Sequence, residues 1–320
     1  MFTFSMHTRR TFFRNIAALS ASPLLMCAVK ESSASVLPIS CNAYTWLTFY
    51  QREGKEWWKD PRACAAEFVK SGIPALEPSL SSVAEASSTI EVLKEHGIKM
   101  PSVYVNSVLH KKEEAKNSID TILAIAKEVE KYNTRIIVTN PSPIDWSGTS
   151  LKSDEELNEE AKNMELLGKS LRSLGLKLAY HTHDTELMAG AREFHHVLQN
   201  TSRENVNFCF DVHWVFRGSK NSQIAVFDVV KMYGDRTIEL HIRQSVNGIW
   251  TEKLDKGDID YDAFAAELAR RKIYPHLVIE QCLESKSSNT MTAVDAHKAD
   301  LAFVQRVFSP VLSQRSRTRE

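Results

Sequence analysis

The sequence has little glycine, and its few cysteines form no recognisable metal-binding or redox motif. Only 11 glycines occur in 320 residues. No glycine-rich phosphate turn follows the first apolar run, which argues against an open dinucleotide-binding sheet. Five cysteines are present, and none forms a C-x-x-C pair. Three of the four beyond residue 34 lie in apolar, strand-like runs, so we expect buried free thiols rather than disulfides.

The chain also lacks an excess of charge of either sign. Its 40 basic residues balance its 40 acidic residues. The first 34 residues hold four basic groups and one acidic group, so the remainder has 36 and 39, a net charge of −3. Such a surface has no attraction for a polyanion, and nucleic acid is therefore not expected as a partner.

No segment is long and apolar enough to span a membrane, but the N-terminus is typical of an export signal. Thr8-Arg-Arg-Thr-Phe-Phe-Arg14 precedes an apolar stretch at 16–29, and Ser32-Ser33-Ala34 offers a small-x-small cleavage site. Fourteen residues are too few for a transmembrane helix, and paired arginines indicate a twin-arginine signal. We predict a signal peptide at 1–34 and a periplasmic or otherwise exported protein, with no membrane contact after signal removal. The alternative is a buried or disordered N-terminal tail.

What the chain has in abundance is regular alternation between short apolar strands and amphipathic helices. Helical spacing occurs at 56–71, 84–96, 113–132, 153–174, 190–199, 223–233, 261–272 and 291–308. Such alternation predicts a parallel sheet. Eight strand–helix units without a linker favour a closed barrel over an open sheet. We therefore predict an α/β fold, a single (β/α)8 TIM barrel at 35–310, and a disordered tail at 311–320.

Four of the predicted strands end in residues that can bind a metal ion. Residues that are two apart in a strand lie on the same face of it. Barrel enzymes build their active sites at the C-terminal strand ends. The residues are His181 and His183, Asp211 and His213, His241 and Arg243, and Glu280.

We predict that His181, Asp211, His241 and Glu280 bind one divalent metal ion. Mixed nitrogen and oxygen ligands favour Mn, Zn, Co or Fe(II), whereas an all-oxygen set would favour Mg or Ca. The alternative is that each residue is separately hydrogen-bonded at the barrel rim. Four such residues at equivalent strand ends favour the metal.

The residues beside these ligands are predicted to act on a substrate. His183 is the candidate general acid or base, because imidazole titrates near neutral pH; the alternative is that it supports the metal. His213 is expected to contact substrate hydroxyls. Arg243 could hold a carbonyl, carboxylate or enolate oxygen, or form a salt bridge across the barrel mouth.

Two carboxylates are further candidates for catalysis. Glu280 could remove a proton next to a carbonyl while also binding the metal, which would stabilise the enediolate. Glu77, at the end of the second strand, either joins the active site or pairs with a basic group near the rim. Trp214, like Trp46 and Trp250, could stack on a sugar ring, although aromatic packing is the commoner role.

Five segments together resemble the xylose isomerase-like barrel superfamily, often called sugar phosphate isomerases/epimerases. They are Tyr180-His-Thr-His-Asp-Thr-Glu-Leu187, Phe210-Asp-Val-His-Trp-Val-Phe-Arg-Gly218, Leu240-His-Ile-Arg-Gln244, Lys256-Gly-Asp-Ile-Asp260 and Ile279-Glu-Gln281. The resemblance implies a barrel with one divalent metal held by strands five to eight. Many members have Glu where this chain has His181, so whether His181 or His183 is the strand-five ligand stays open. A related dehydratase branch has a catalytic His at the position of His183.

The resemblance implies an exported, metal-dependent isomerase or epimerase of an unphosphorylated sugar or keto-sugar. The second hypothesis is a metal-dependent lyase or dehydratase acting on a keto-sugar or 3-keto-glycoside. A third is a carbohydrate-binding barrel without activity, and the acidic mature charge disfavours a nuclease of the same fold. The expected partner is a small-molecule carbohydrate, and association into a homo-oligomer stays open.

Overall fold

Eight short parallel strands form the inner wall of the structure. The computed structural model describes residues 37–317, so the predicted signal peptide lies outside the described residues. The strands are β1 (Ser40–Asn42), β2 (Ala75–Glu77), β3 (Ser102–Tyr104), β4 (Ile136–Thr139), β5 (Lys177–Tyr180), β6 (Val206–Asp211), β7 (Thr237–Ile242) and β8 (His276–Ile279).

The sheet closes on itself. Seven of the eight strand junctions are parallel ladders, and β1 pairs with β8. The eighth junction joins β2 to β3 through isolated bridges at Ala75–Lys99 and Ser79–Tyr104. The Tyr104 amide donates to the Pro78 carbonyl across this junction at 2.9 Å. The fold is therefore a single (β/α)8 TIM barrel, as the sequence predicts.

Helices lie between the strands and cover the outside of the barrel. They are α1 (Ala43–Arg52), α2 (Pro61–Val69), α3 (Val83–Glu95), α4 (Lys112–Glu130), α5 (Asp154–Ser173), α6 (Met188–Gln199), α7 (Val212–Gly218), α8 (Gln223–Tyr233), α9 (Tyr261–Arg270), α10 (Ala293–Val307) and α11 (Ser309–Arg317). Ser153 and Glu156 form the capping box that starts α5, since each side chain satisfies a free amide of the first turn. All eight predicted helices are present.

Two helices occupy positions where the sequence predicts strand. Helix α1 begins directly after Asn42, whose side chain accepts a hydrogen bond from the Tyr44 amide at 2.8 Å. Helix α7 begins directly after Asp211, whose side chain accepts from the Trp214 amide at 2.7 Å. In both cases a short polar side chain caps the next helix and ends the strand earlier than its apolar pattern does.

Helix α11 extends to Arg317, and Val311 is fully buried in the main core. The helix therefore continues into the segment 311–320, for which the sequence analysis predicts a disordered tail. The four cysteines of the described chain are buried free thiols, which confirms that expectation. None of the helices within 37–317 has the length and apolarity needed to cross a membrane.

The apolar core lies mostly between the strands and the helices. A much smaller cluster fills part of the barrel interior, formed by Tyr104, Ile136, Val138, Ala179 and Cys209. The rest of the interior is polar: Glu77, Ser102, Glu239, His241 and His276 are all fully buried. A hairpin of two short strands, Ser245–Val246 and Ile249–Trp250, extends β7 over this end.

Gly168 on α5 allows close contact between that helix and the turn before β6. A Cβ at this position would lie nearer to the carbonyl oxygen of Asn205 than any real Cβ contact. We predict that Gly168→Ala lowers the free energy of unfolding by about 1–3 kcal/mol, because overpacking outweighs the better helix propensity of alanine. Urea denaturation measures this. The exposed neighbour provides the control, since Lys169→Ala should change stability by less than about 0.5 kcal/mol. Equal midpoints for both variants would contradict the prediction.

Candidate metal centre and active-site cavity

The four predicted ligands converge at the C-terminal end of the barrel. One ligand atom from each of His181, Asp211, His241 and Glu280 lies within 4.8 Å of all the others, and all four residues are buried. The strand register brings them together, because Asp211 pairs with His241 across β6 and β7. The Glu280 amide continues the ladder by donating to the Ile242 carbonyl at 3.0 Å.

Three atoms in this cluster are buried without a hydrogen-bond partner among the described residues: His241 Nε2, and two atoms on His181 and Asp211 that face each other. His181 Nε2 and Asp211 Oδ2 lie 3.6 Å apart, and their side chains are 1% and 0% exposed. Neither atom has a partner among the described residues. A buried polar atom without a partner costs roughly 1–3 kcal/mol, and more when it is charged. Both atoms are therefore positioned to bind an ion or molecule that the protein chain itself does not supply.

The charges fit a divalent cation. Asp211 and Glu280 are acidic, and among the described residues one guanidinium lies beside them, that of Arg243, at 4.0 Å from Asp211 Oδ2 and 2.9 Å from Glu280 Oε2. With neutral imidazoles the cluster carries a net charge of −1. Two imidazoles and two carboxylates form the mixed nitrogen and oxygen set that suits first-row transition metals.

A second layer of residues orients the two imidazoles. The Tyr104 hydroxyl lies 3.2 Å from His181 Nδ1, which leaves Nε2 for the site. His241 Nδ1 lies 3.1 Å from Glu280 Oε2, while its Nε2 lies 3.1 Å from Glu77 Oε2 and 3.4 Å from Glu239 Oε1. Such outer contacts fix the ring of a metal-binding histidine.

Glu77 lies beneath the metal cluster and does not line the cavity. Its two oxygens accept from Asn42 Nδ2 at 2.7 Å and from Ser102 Oγ at 2.8 Å. Burial and the nearby carboxylate of Glu239 raise the pKa of Glu77. The prediction that Glu77 is catalytic is therefore not supported by its position, and its contact with His241 makes it a positioning residue. The sequence could not show this, because it does not reveal how deeply a strand end lies.

Glu239 completes the layer below His241. Its Oε2 lies 2.7 Å from His276 Nδ1, and Ser40 lies 2.9 Å from the other nitrogen of that ring. Burial alone would raise the pKa of Glu239, but hydrogen bonds from His241 and His276 hold it below its usual range. Burial would lower the pKa of His241, and the surrounding Cys209, Glu77 and Glu280 raise it instead. The ring thus lies in a negative environment that also favours a cation.

A cavity of about 530 Å³ opens above the cluster. Its walls combine aromatic and polar side chains: Asn42, Tyr44, Ser79, Tyr104, Asn106, Trp146, His183, Asp184, Trp214, Arg243, Trp250 and Glu280. Of the predicted site residues, His183, Trp214, Arg243 and Glu280 line it. The cavity has the size and mixed lining of a small-molecule site.

His183 is held at the wall by three rings. Its ring centroid lies 5.0 Å from that of Trp146, 5.2 Å from Trp214 and 4.9 Å from His181. Its amide donates to Glu186 Oε2 at 2.7 Å, so the buried Glu186 fixes the backbone after β5. Burial, followed by the neighbouring His181, lowers the pKa of His183 well below its ordinary value. The imidazole is therefore neutral at pH 7 and can accept a proton.

Arg243 forms the predicted salt bridge and still has a free donor. Its Nε donates to the Glu280 carbonyl at 2.9 Å, and its Nη2 pairs with the carboxylate of the same residue. Its guanidinium lies 4.2 Å from the ring centroid of Trp250 and 5.2 Å from that of Trp214. Nη1 is buried and has no hydrogen-bond partner among the described residues, which leaves it free to bind a substrate oxygen.

His213 does not reach the cavity. It lies in α7 rather than in a strand, so the expectation that it shares a face with Asp211 is wrong. Its Nε2 lies 2.9 Å from Ser245 Oγ, and Trp250 Nε1 donates to its Nδ1 at 3.3 Å. Burial, with Arg243 nearby, lowers its pKa to about 3. The neutral ring therefore positions the hairpin and Trp250 instead of binding substrate hydroxyls.

The sequence analysis missed one tryptophan of the cavity, and one of its candidate tryptophans lies elsewhere. Trp46 is fully buried in the outer core, stacked on His297 at 4.6 Å. Trp146, by contrast, lines the cavity although its loop has no apolar pattern. Its position shortly after the β4 run is the one signal that could have indicated it, because loops after barrel strands surround the active site.

The loop that carries Trp146 is anchored by a buried lysine. Lys152, only 2% exposed, pairs with Glu160 on α5 at 2.5 Å and with Glu193 on α6 at 2.7 Å. Its Nζ also donates to the Pro141 carbonyl at 3.3 Å, at the start of the same loop. This ion-pair network fixes both ends of the 141–152 segment.

The chain belongs to the xylose isomerase-like TIM barrel family. The model of that family matches residues 66–307, which include all four proposed metal ligands and every barrel strand except β1. No curated protein matches the chain.

Solved structures of sugar epimerases share the fold. D-psicose 3-epimerase from Clostridium cellulolyticum H10 is 15% identical with a TM-score of 0.65, covering 85% of this chain and 99% of its own. L-ribulose 3-epimerase is 12% identical with a TM-score of 0.65, covering 88% and 98%. The 3-keto-D-glucoside 4-epimerase from E. coli is 14% identical with a TM-score of 0.61, covering 85% and 100%. At these identities the likeness establishes the architecture alone.

The metal assignment predicts the effect of removing one ligand. His241→Ala deletes the imidazole that faces Glu280, so we expect bound Mn, Zn, Co or Fe to fall at least about tenfold. Elemental analysis of the purified protein measures it. His195→Ala serves as the control, because this half-buried histidine on α6 bonds only to Tyr233 and should leave the metal content unchanged. Equal metal content in the wild type and His241→Ala would contradict the assignment of this metal site.

Proposed function

We propose that this protein is a metal-dependent epimerase or isomerase of an unphosphorylated sugar or keto-sugar. The observation that carries the proposal is the meeting of a four-ligand cluster with a sugar-sized cavity at the C-terminal end of the barrel. The family membership and the sugar epimerases among the structural neighbours support it. Mn, Zn, Co or Fe(II) is the proposed metal, for the ligand chemistry given above.

His181, Asp211, His241 and Glu280 would hold the ion. When bound, the divalent cation acts as a Lewis acid that polarises a carbonyl and makes the neighbouring C–H more acidic. The ligand set is complete without His183, so we assign the strand-five ligand to His181. His183 is then available for proton transfer, and its position on the cavity wall gives it access to a bound substrate.

Two groups on the cavity wall are suited to move a proton. Glu280 is ionised, because Arg243 and His241 overcome the effect of burial and hold its pKa below the usual range. His183 is neutral and presents a ring edge to the cavity. They follow β8 and β5, three strands apart, so they approach a bound ring from different sides. Epimerisation needs such a pair, since one group removes the proton and the other returns it to the opposite face.

The described residues of the cavity wall offer little positive charge to bind a phosphate group. Within the described chain, Arg243 is the one lysine or arginine among the lining residues, and its guanidinium is already paired with Glu280. Asp184 adds negative charge to the wall. Because a phosphate dianion requires cationic or amide donors, an unphosphorylated substrate is the better fit. Nη1 of Arg243 would then hold a hydroxyl or carbonyl oxygen.

Removing the acid–base group should suppress proton transfer but leave the metal bound. We expect His183→Gln to slow solvent-deuterium exchange into a ketohexose by about 100-fold or more, with the metal content of the wild type. NMR in deuterated water measures the exchange, and His195→Gln is the matched control. Exchange that continues at the wild-type rate would rule out His183. No exchange with any sugar, even in the wild type, would favour a binding protein instead.

The second candidate is a lyase acting on a keto-sugar or 3-keto-glycoside. In this reaction His183, whose Nδ1 has no partner among the described residues, would take the proton next to the carbonyl. The electron pair of that C–H bond would then expel the oxygen at the β-position, and the imidazolium would return its proton to this oxygen as the C–O bond breaks. Mass spectrometry of the products distinguishes the two. Epimerisation in deuterated water should give a product one mass unit heavier, whereas elimination should release water or an aglycone. Release of the aglycone from a 3-keto-glycoside would replace the first proposal with the second.

A further inference from the structure

The cavity wall is divided between two halves of the barrel. The proposed chemistry comes from the segments after β5 to β8. Each segment after β1 to β4 also contributes a lining side chain, and none of these belongs to the metal cluster: Tyr44, Ser79, Asn106 and Trp146. The function proposed above gives these four residues no role, although they line the same cavity.

The two polar members of this group are free to bind a ligand. Ser79 and Asn106 are exposed within the cavity, and their side chains have no hydrogen-bond partner among residues 37–317. Two further polar lining residues already have partners, since Asn42 donates to Glu77 and Arg243 Nη2 pairs with Glu280. A hydroxyl and an amide offer both donors and acceptors, which suits sugar hydroxyls.

The two aromatic members leave large apolar surfaces open. Tyr44 is 49% exposed and Trp146 is 58% exposed. Trp146 is the most exposed tryptophan of the described chain, yet Lys152 anchors its loop to α5 and α6. A rigidly held aromatic face beside free polar groups is the combination that binds a sugar or aryl ring, because the C–H face stacks while the edges form hydrogen bonds.

The cavity is also larger than one sugar ring requires. A water molecule occupies about 30 Å³ of liquid, so the cavity of about 530 Å³ has room for roughly 18 water-sized atoms. A hexose has 12 non-hydrogen atoms, and bonded atoms occupy less space than separate waters. The remaining third or more of the volume is sufficient for a second ring.

We propose that Tyr44, Ser79, Asn106 and Trp146 form a second-ring subsite, and that the substrate is therefore a two-ring compound: a glycoside with a cyclic aglycone, or a disaccharide. This rests on the proposed function, because the first ring is the one placed at the metal cluster. Arg243 and His183 contact that first ring, and Trp146 stacks on the second. The free monosaccharide would bind without using the first half of the barrel.

Calorimetry with unreactive ligands tests the subsite separately from catalysis. The metal-loaded protein is titrated with methyl β-glucoside, which has one ring, and with phenyl β-glucoside and cellobiose, which have two. We expect at least one two-ring ligand to bind about tenfold more tightly than the methyl glycoside, as one aromatic stack allows. We expect Trp146→Ala to remove that difference, so that the two-ring ligands bind no more tightly than methyl β-glucoside.

Ile144→Ala is the matched control, because this 40% exposed side chain lies on the same loop but not on the cavity wall. It should retain the two-ring preference. Equal binding of all three ligands by the wild type, or an equal loss for all three in Trp146→Ala, would overturn the subsite. The outcome for the proposed function is separate: two-ring preference with no solvent exchange into any sugar would retain the subsite and refute the epimerase.

Discussion

Four buried ligand atoms at the C-terminal ends of β5 to β8 face one another, and the rest of the site depends on this arrangement. Asp211 Oδ2 and His181 Nε2 lie 3.6 Å apart without hydrogen-bond partners of their own. A buried polar atom without a partner is unfavourable in a low-dielectric interior, and a bound divalent cation would offset that penalty. The backbone fixes the atoms before any ion arrives, because the parallel ladder pairs Asp211 with His241. A shift of register by one residue would turn these side chains to the other face of the sheet.

Beneath the ligands the barrel interior is unusually polar. Branched apolar residues commonly fill this position in TIM barrels, whereas here Glu77 and Glu239 contact His241 from below and His276 in turn contacts Glu239. Each is fully buried, and each is joined to its neighbours by hydrogen bonds. The protein thus keeps a costly buried network, and its effect is to fix the orientation of one imidazole.

The loops complete the site by holding three tryptophans at the cavity. Trp146, Trp214 and Trp250 reach the cavity from three separate segments, and each is held by contacts outside it. Lys152 anchors the loop of the first. The cap on α7 places the second, and His213 fixes the third through its hydrogen bond to the indole. A residue that looks catalytic in the sequence can therefore serve as support, because a ring nitrogen is equally able to bind a substrate or to hold a neighbouring side chain.

The sequence was sufficient to predict the barrel, eight of its helices and the four proposed metal ligands. Periodicity specifies strands and helices, and residues that end parallel strands must meet at one end of a closed sheet. The roles of Glu77, His213, Trp46 and Trp146, in contrast, depend on the three-dimensional packing. Glu77 lies deeper in the barrel than the ligands. Asp211 caps helix α7, so His213 lies in that helix and not in β6. Packing buried Trp46 beside His297 and left Trp146 at the cavity mouth. These outcomes depend on contacts between residues far apart in the chain, which local patterns do not encode.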